Sequence, residues 1–310
     1  MGESDDLAAI ADRLAATPDY RVLRRIKPVE RFHVPTSREG LRIGAVLDVE
    51  TTGLDRDGDR IIELAIQRFR FDEVGRIVEV GTPRVWREDP GRPLEPEITA
   101  LTGLTDADLA GQAIDDELAI KLLSSCDVIV AHNAAFDRPY VEKRLPAIAG
   151  QAWACSCHDL DWRALGFEGR ALSHLLMQAG WYYEAHRAET DVLALLHLLA
   201  HGLADGATVL AKLVAAAERS TYRVHAIDSP FDSKDRLKAR GYSWNAVLRF
   251  WWREIGSEQL VAEQQWLKSE VYTGWGEPAV HEVTWHERHG EWLSAAPVEK
   301  AFARAGAAAE

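Results

Sequence analysis

The chain has little cysteine, no long apolar run and no surplus of positive charge, and each shortage removes a class of protein. Cysteine occurs only at Cys126, Cys155 and Cys157 in 310 residues. An odd number with no framework of spacings excludes a small disulfide-stapled secreted domain, and a reducing cytoplasm is the expected location. Cys155-x-Cys157-His158 lacks a second ligand pair, so it is a weak zinc signal. The longest apolar segment, around residues 193–199, is interrupted by His197 and is too short to cross a bilayer, so no membrane partner is expected. Met1-Gly2-Glu3-Ser4-Asp5-Asp6 is acidic, shows no signal-peptide pattern, and has Asp where the myristoylation pattern needs Ser or Thr. Lys and Arg number 36 against 49 Asp and Glu, a formal charge of −13. That balance speaks against a tight, extended grip on duplex phosphates. Hydrophobic residues at 47% and charged residues at 27% are ordinary for a globular chain, here long enough for two domains.

What is present is a set of acids in three local contexts. Gly44-Ala45-Val46-Leu47 reads as a buried strand leading into Asp48-Val49-Glu50-Thr51-Thr52-Gly53-Leu54. Side chains alternate along a strand, so Asp48 and Glu50 share a face, about 6.7 Å apart. Two such carboxylates repel and are costly to desolvate unless a divalent cation joins them. A second strand, residues 127–131, precedes His132-Asn133-Ala134-Ala135-Phe136-Asp137. Asn133 suits a strand-to-helix turn, where its side chain can cap the backbone. The helix is expected from about Ala134 toward Arg144, with Pro139 tolerable only in the first turn, Asp137 near the helix start and Phe136 packing behind. The third context is His186-Arg187-Ala188-Glu189-Thr190-Asp191. On one helix His186 and Asp191 would lie about 140° apart, so His186 belongs on the preceding loop and Asp191 inside the helix. Taken singly, each context has an ordinary reading: a strand end at the surface, a first-turn helix acid, a solvated histidine. Together they converge on one site.

This set resembles the DEDDh (DnaQ-like) 3′–5′ exonucleases, the family of the proofreading subunit of bacterial DNA polymerase III, over about residues 40–200. The resemblance implies an α/β fold, a ribonuclease H-like mixed sheet flanked by helices. It implies that Asp48, Glu50, Asp137 and Asp191 bind two divalent ions, Mg²⁺ or Mn²⁺, with His186 as general base. It implies hydrolysis from a free 3′ end, single-stranded or frayed, to nucleoside 5′-monophosphates. Leu54 matches the position that packs on the terminal base, and the amides of Thr51 and Thr52, next to Gly53, would approach the terminal sugar. Hard cations and oxygen ligands suit each other, and two ions can hold the attacking and leaving oxygens of an in-line displacement. The segment from Ile98 to Leu109 resembles one that family members carry between the first two motifs. Thr105 reads as a helix N-cap, with Asp106 and Asp108 in the first turn. Thr102 and Gly103 either line the nucleotide pocket or form a plain helix-entry loop, and Gly53, Asn133 and Phe136 count with them as substrate-binding candidates.

The remainder divides by composition. Residues 1–40 carry an amphipathic helical pattern and a basic patch at Arg21, Arg24, Arg25 and Lys27, read as an arm packed on the nuclease domain. Residues 41–200 read as strand, strand, strand, helix, strand, helix, helix, and residues 61–70 and 77–85 as a hairpin. Residues 201–220 read as a helical connector. Residues 221–310 form a small α+β domain with Trp244, Trp251, Trp252, Trp266, Trp275, Trp285 and Trp292. Its expected elements are strands at 222–226, 248–255 and 280–287 and helices at 233–240 and 258–270. Lys238, Arg240, Tyr242 and Trp244 interleave bases with aromatics, either as an accessory single-strand-binding surface or as core. The leading functional reading is a DNA exonuclease with a polymerase or repair partner. An RNA exonuclease of the same superfamily is the nearest alternative, and a non-catalytic nucleic-acid-binding or polymerase-associated module is the other.

Overall fold

The apolar residues ahead of the first motif lie fully buried in a central strand. The computed structural model describes residues 3–35, 37–184, 187–273 and 276–290. The chain splits into two units, Met1–Ala216 and Ala217–Glu310. The strands of the first are β1 (Arg24–Arg25), β2 (Arg42–Thr51), β3 (Ile61–Phe71), β4 (Ile77–Val80), β5 (Arg84–Arg87), β6 (Val128–Ala131), β7 (Trp153–Cys155) and β8 (Trp181–Tyr182). Its helices are α1 (Glu3–Ala15), α2 (Pro96–Thr102), α3 (Asp106–Leu109), α4 (Asp116–Ser124), α5 (Ala134–Arg144), α6 (Leu172–Gln178), α7 (Ala188–Ala200) and α8 (Val209–Ala217).

The main sheet has the order β4-β3-β2-β6-β7, and β5 continues the β4 edge along β3. β3 runs antiparallel to β2, while β6 is parallel to β2 and β7 to β6. An antiparallel meander followed by parallel strands beside its first member, with helices on both faces, is the ribonuclease H-like fold. Leu47 and Val49 of β2 pack with residues of α4 and α5 in one buried cluster. The alternating Asp48 and Glu50 therefore face the other side, which α7 covers.

Several local expectations are corrected. β7 interrupts a stretch expected to be non-strand; three buried residues are too few to show a period. Pro139 lies in the second turn of α5. A proline there leaves the carbonyl four residues earlier without its amide. That carbonyl, of Ala135, instead accepts Arg56 Nη2 at 2.7 Å. Asn133 is the N-cap, but at φ 84° and ψ 48° its side chain caps nothing. Side-chain capping needs an extended backbone, whereas asparagine is tolerated in the left-handed region for steric reasons. In the arm, Leu7, Ile10 and Leu14 of α1 are exposed, so the helix does not pack by its apolar face. The attachment lies further on, where β1 pairs in parallel with β8 and Lys27 O accepts His197 Nε2 at 2.9 Å. The expected cap at Thr105 is present as a reciprocal capping box with Asp108. Among the described residues, no helix is long and apolar enough to cross a membrane.

The second unit is an antiparallel sheet of β9 (Thr221–Ala226), β10 (Ser243–Asn245), β11 (Phe250–Gly256) and β12 (Ala279–Val283), in the order β10-β11-β9-β12. α9 (Lys234–Ala239) and α10 (Ser257–Leu267) accompany it. Val224, Ala226, Leu237, Ile255 and Leu267 supply its core. β10 is absent from the sequence-based expectation, and the strand expected over 280–287 ends at Val283 before a turn. Trp275 and Trp292 lie outside the described residues.

Candidate active site

The site is built where β2 ends. Asp48 and Glu50 leave the strand on the α7 face, and α7 brings Asp191 to meet them. One oxygen from each of Asp48, Glu50 and Asp191 lies within 4.8 Å of the others. Asp137, in the first turn of α5, is buried beside this trio, and its Oδ1 accepts Val49 N at 3.2 Å. Asp191 is held at both oxygens. Tyr183 Oη donates to Oδ1 at 2.7 Å, and Arg187 N donates to Oδ2 at 3.1 Å. A bulge between Glu50 and Thr51 ends the regular pairing of β2 with β3 at this point.

Burial, then mutual repulsion, governs the protonation of these acids. Asp48 is pushed well above the ordinary carboxylate range by burial and next by Asp137, Asp191, Glu50 and Glu63. Glu50 is raised to about 7 by burial, Asp191 and Glu63, with Arg187 opposing. Asp137 is raised to about 8, chiefly by burial, while the Val49 amide pulls the other way. A hard divalent cation would relieve both causes, and every donor in the set is a carboxylate oxygen, as such ions prefer. The set therefore fits a divalent metal, with Asp48, Glu50 and Asp191 the residues that would hold it and Asp137 buried beside them.

The exonuclease family model, RNase_T, matches residues 45–199, half of the chain. The chain belongs to the exonuclease family. Over 98 residues it is 41% identical to the PolC-type DNA polymerase III of Listeria welshimeri, covering 31% of this chain and 6% of that protein. Over 114 residues it is 31% identical to ribonuclease T of Shewanella baltica, covering 32% of this chain and 51% of that protein. The matches thus span about half or less of these relatives. Among solved structures, exonuclease X in complex with 5′-overhanging duplex DNA is 24% identical with a TM-score of 0.37, covering 49% of this chain and 88% of that one. Exonuclease I is 18% identical with a TM-score of 0.43, covering 59% and 48%.

In the exonuclease domain, the remaining residues singled out from sequence fall into different roles. Leu54 is 84% exposed beside the acids' strand end. Thr52 N donates to Arg60 O at 2.9 Å, so that amide is used within the fold and not toward a sugar. The Thr52 hydroxyl donates to Asp59 Oδ1 at 2.7 Å, and Arg92 joins the same carboxylate at 2.6 Å. Thr51 Oγ1 donates to Gly53 O at 2.6 Å. Gly53 is small for Asp59's sake, since a Cβ there would strike its fixed carboxylate. Thr102 is buried and bonds Ile98 O, and Gly103 is a left-handed helix terminus at φ 71°. Those two complete α2. Asn133 is exposed, and Phe136 packs on Tyr140 at 5.1 Å between ring centres. His186 lies outside the described residues. Sequence reasoning misses Tyr183 and Glu63; the signal for Glu63 is a lone acid within the apolar run Ile61-Ile62-Glu63-Leu64-Ala65-Ile66.

The four accessory candidates in the second unit also separate. Tyr242 is buried in its core, so it cannot stack on a base. Arg240 pairs with buried Glu263 at 3.1 Å and lies 4.5 Å over the Trp266 ring, which commits it to the fold. Lys238 and Trp244 remain exposed. Tyr242→Ala is expected to destabilise this unit by about 3–5 kcal/mol, as loss of a buried aromatic does. Lys238→Ala should leave melting unchanged. Thermal unfolding of both variants checks this, and equal melting temperatures would place Tyr242 outside the core.

Proposed function

We propose that this chain is a metal-dependent 3′–5′ exonuclease that hydrolyses phosphodiester bonds of DNA to nucleoside 5′-monophosphates. The meeting of Asp48, Glu50 and Asp191 oxygens within 4.8 Å, with Asp137 alongside, carries the reading. Two Mg²⁺ or Mn²⁺ ions in this set would supply Lewis acidity at the attacking and leaving oxygens. Tyr183 orients Asp191 for that task, and His186 accepts the proton of the attacking water. Leu54, exposed on its loop, meets the terminal base by apolar contact. The substrate is a free 3′ end, single-stranded or frayed, because a chain of charge −13 suits a short, releasable contact. A polymerase or repair assembly is the expected partner, in keeping with the PolC-type relative. The ribonuclease T relative supports RNA as the second reading, since both nucleic acids present the same phosphodiester.

The test is the purified chain with 5′-labelled single-stranded DNA, DNA with a 3′ overhang, and RNA of the same sequence. A ladder shortening from the 3′ end, present with Mg²⁺ or Mn²⁺ and absent with chelator, is expected. Faster shortening of RNA selects the second reading. Cleavage that persists in chelator would rule out the metal centre.

A further inference from the structure

We propose that Glu63 is a positioning residue for the metal centre, tying the first turn of α7 to β3 and so setting Asp191 against Asp48 and Glu50 without itself binding the ion. The proposal rests on the reading that these acids hold a divalent metal. Glu63 is 1% exposed, within an otherwise apolar stretch of β3. A carboxylate is costly at such a place unless its oxygens are engaged. The β2–β3 register sets Glu63 directly opposite Glu50, on the same face of the sheet. Its oxygens nevertheless stay out of the group formed by Asp48, Glu50 and Asp191. Oε2 accepts Ala188 N at 3.1 Å, while Oε1 lies 3.4 Å from Arg87 Nε and 3.7 Å from Arg187 Nη2.

Ala188 is the first residue of α7, and its amide is one that a helix cannot satisfy internally. The N-cap residue, Arg187, offers no side-chain cap, so the neighbouring strand supplies the acceptor. The preceding amide, Arg187 N, goes to Asp191 Oδ2. Two consecutive amides thus join Glu63 on one side and Asp191 on the other. The arginines are a third to nearly a half exposed, so water screens their pairing with Glu63. The buried bond to Ala188 carries the positioning.

Mn²⁺ alone, titrated into the full chain and followed by electron paramagnetic resonance of the free ion, reads this without turnover. Glu63→Ala removes the acceptor and should weaken Mn²⁺ binding by about 10–100-fold, as loss of a group orienting a metal ligand does. Glu63→Gln keeps an acceptor oxygen and should bind within about threefold of wild type. Ala188→Pro deletes the donor at a helix position that suits proline, after an Arg187 already extended at φ −138° and ψ 119°. It should lose affinity as Glu63→Ala does. Unchanged affinity in folded Glu63→Ala overturns the positioning role. Equal, large losses in Glu63→Gln and Glu63→Ala make the carboxylate a ligand and overturn it too. Should Glu63→Ala not fold, Glu63→Gln and Ala188→Pro decide: binding near wild type in the first with loss in the second sustains the role, and a large loss in Glu63→Gln or unchanged binding in Ala188→Pro overturns it. If wild type binds no Mn²⁺, the metal-centre reading itself falls, and this role with it.

Discussion

Asp48→Ala is expected to reduce cleavage by roughly 10³-fold or more and, in chelator, to raise the melting temperature. The first effect follows from removing a carboxylate of the metal set, since a bound cation contributes several kcal/mol of transition-state stabilisation. The second follows from the repulsion that Asp48 shares with Asp137, Asp191, Glu50 and Glu63. The sign with pH is fixed by the direction of the shifts. Glu50 and Asp137 titrate higher in the folded chain, at about 7 and about 8, than in an unfolded one. The folded state then holds more protons, so metal-free stability is fully present below the ordinary carboxylate range and is lost as pH rises through about 7 to 8. Wild type in chelator should melt several degrees lower at about pH 8 than at about pH 5, and the variant should flatten that slope, at roughly 2–4 °C per kcal/mol. Mg²⁺ should stabilise wild type and do little for the variant. Thermal unfolding at both pH values, with chelator and with Mg²⁺, checks each part. Normal turnover by Asp48→Ala would eliminate the site.

His186→Ala is expected to lose rate by about 10²–10⁴-fold while metal binding persists, the cost of a missing general base. Asp191 is held by residues on either side of His186 in sequence, by Tyr183 Oη before it and by Arg187 N after it. The wild-type rate should fall as pH drops through about 6.5, the ordinary imidazole range, and the residual rate of the variant should lose that inflection. Single-turnover measurements separate the chemical step from binding. A variant with normal rate and normal pH profile would assign the proton transfer elsewhere.

The acids were legible because each rests on a strong local rule. Asp48 and Glu50 follow strand alternation, and Asp137 follows an apolar strand and a helix start. The parts that escaped depend on neighbours distant in sequence. Pro139 is tolerated mid-helix because Arg56, on another segment, takes the vacated carbonyl. Thr52 spends its amide on Arg60, which a reading of the motif alone cannot show. Arg240 and Tyr242 were ambiguous because a basic residue beside aromatics has the same pattern whether it faces solvent or packs on Trp266 and Glu263. β7 and β10 are too short for any periodicity to emerge.

The seam between Arg56 and α5 has a mechanical consequence. Besides the Arg56–Ala135 bond, Tyr140 Oη donates to Gly53 O at 3.0 Å and Lys143 Nζ donates to Asp57 O at 3.1 Å. The segment that presents Leu54 is therefore riveted along the flank of the helix that presents Asp137. Such a segment opens together with its support rather than flapping alone, and its amides exchange with solvent at the pace of the helix. The backbone on either side of Leu54 thus takes its distance from Asp137 when the domain folds.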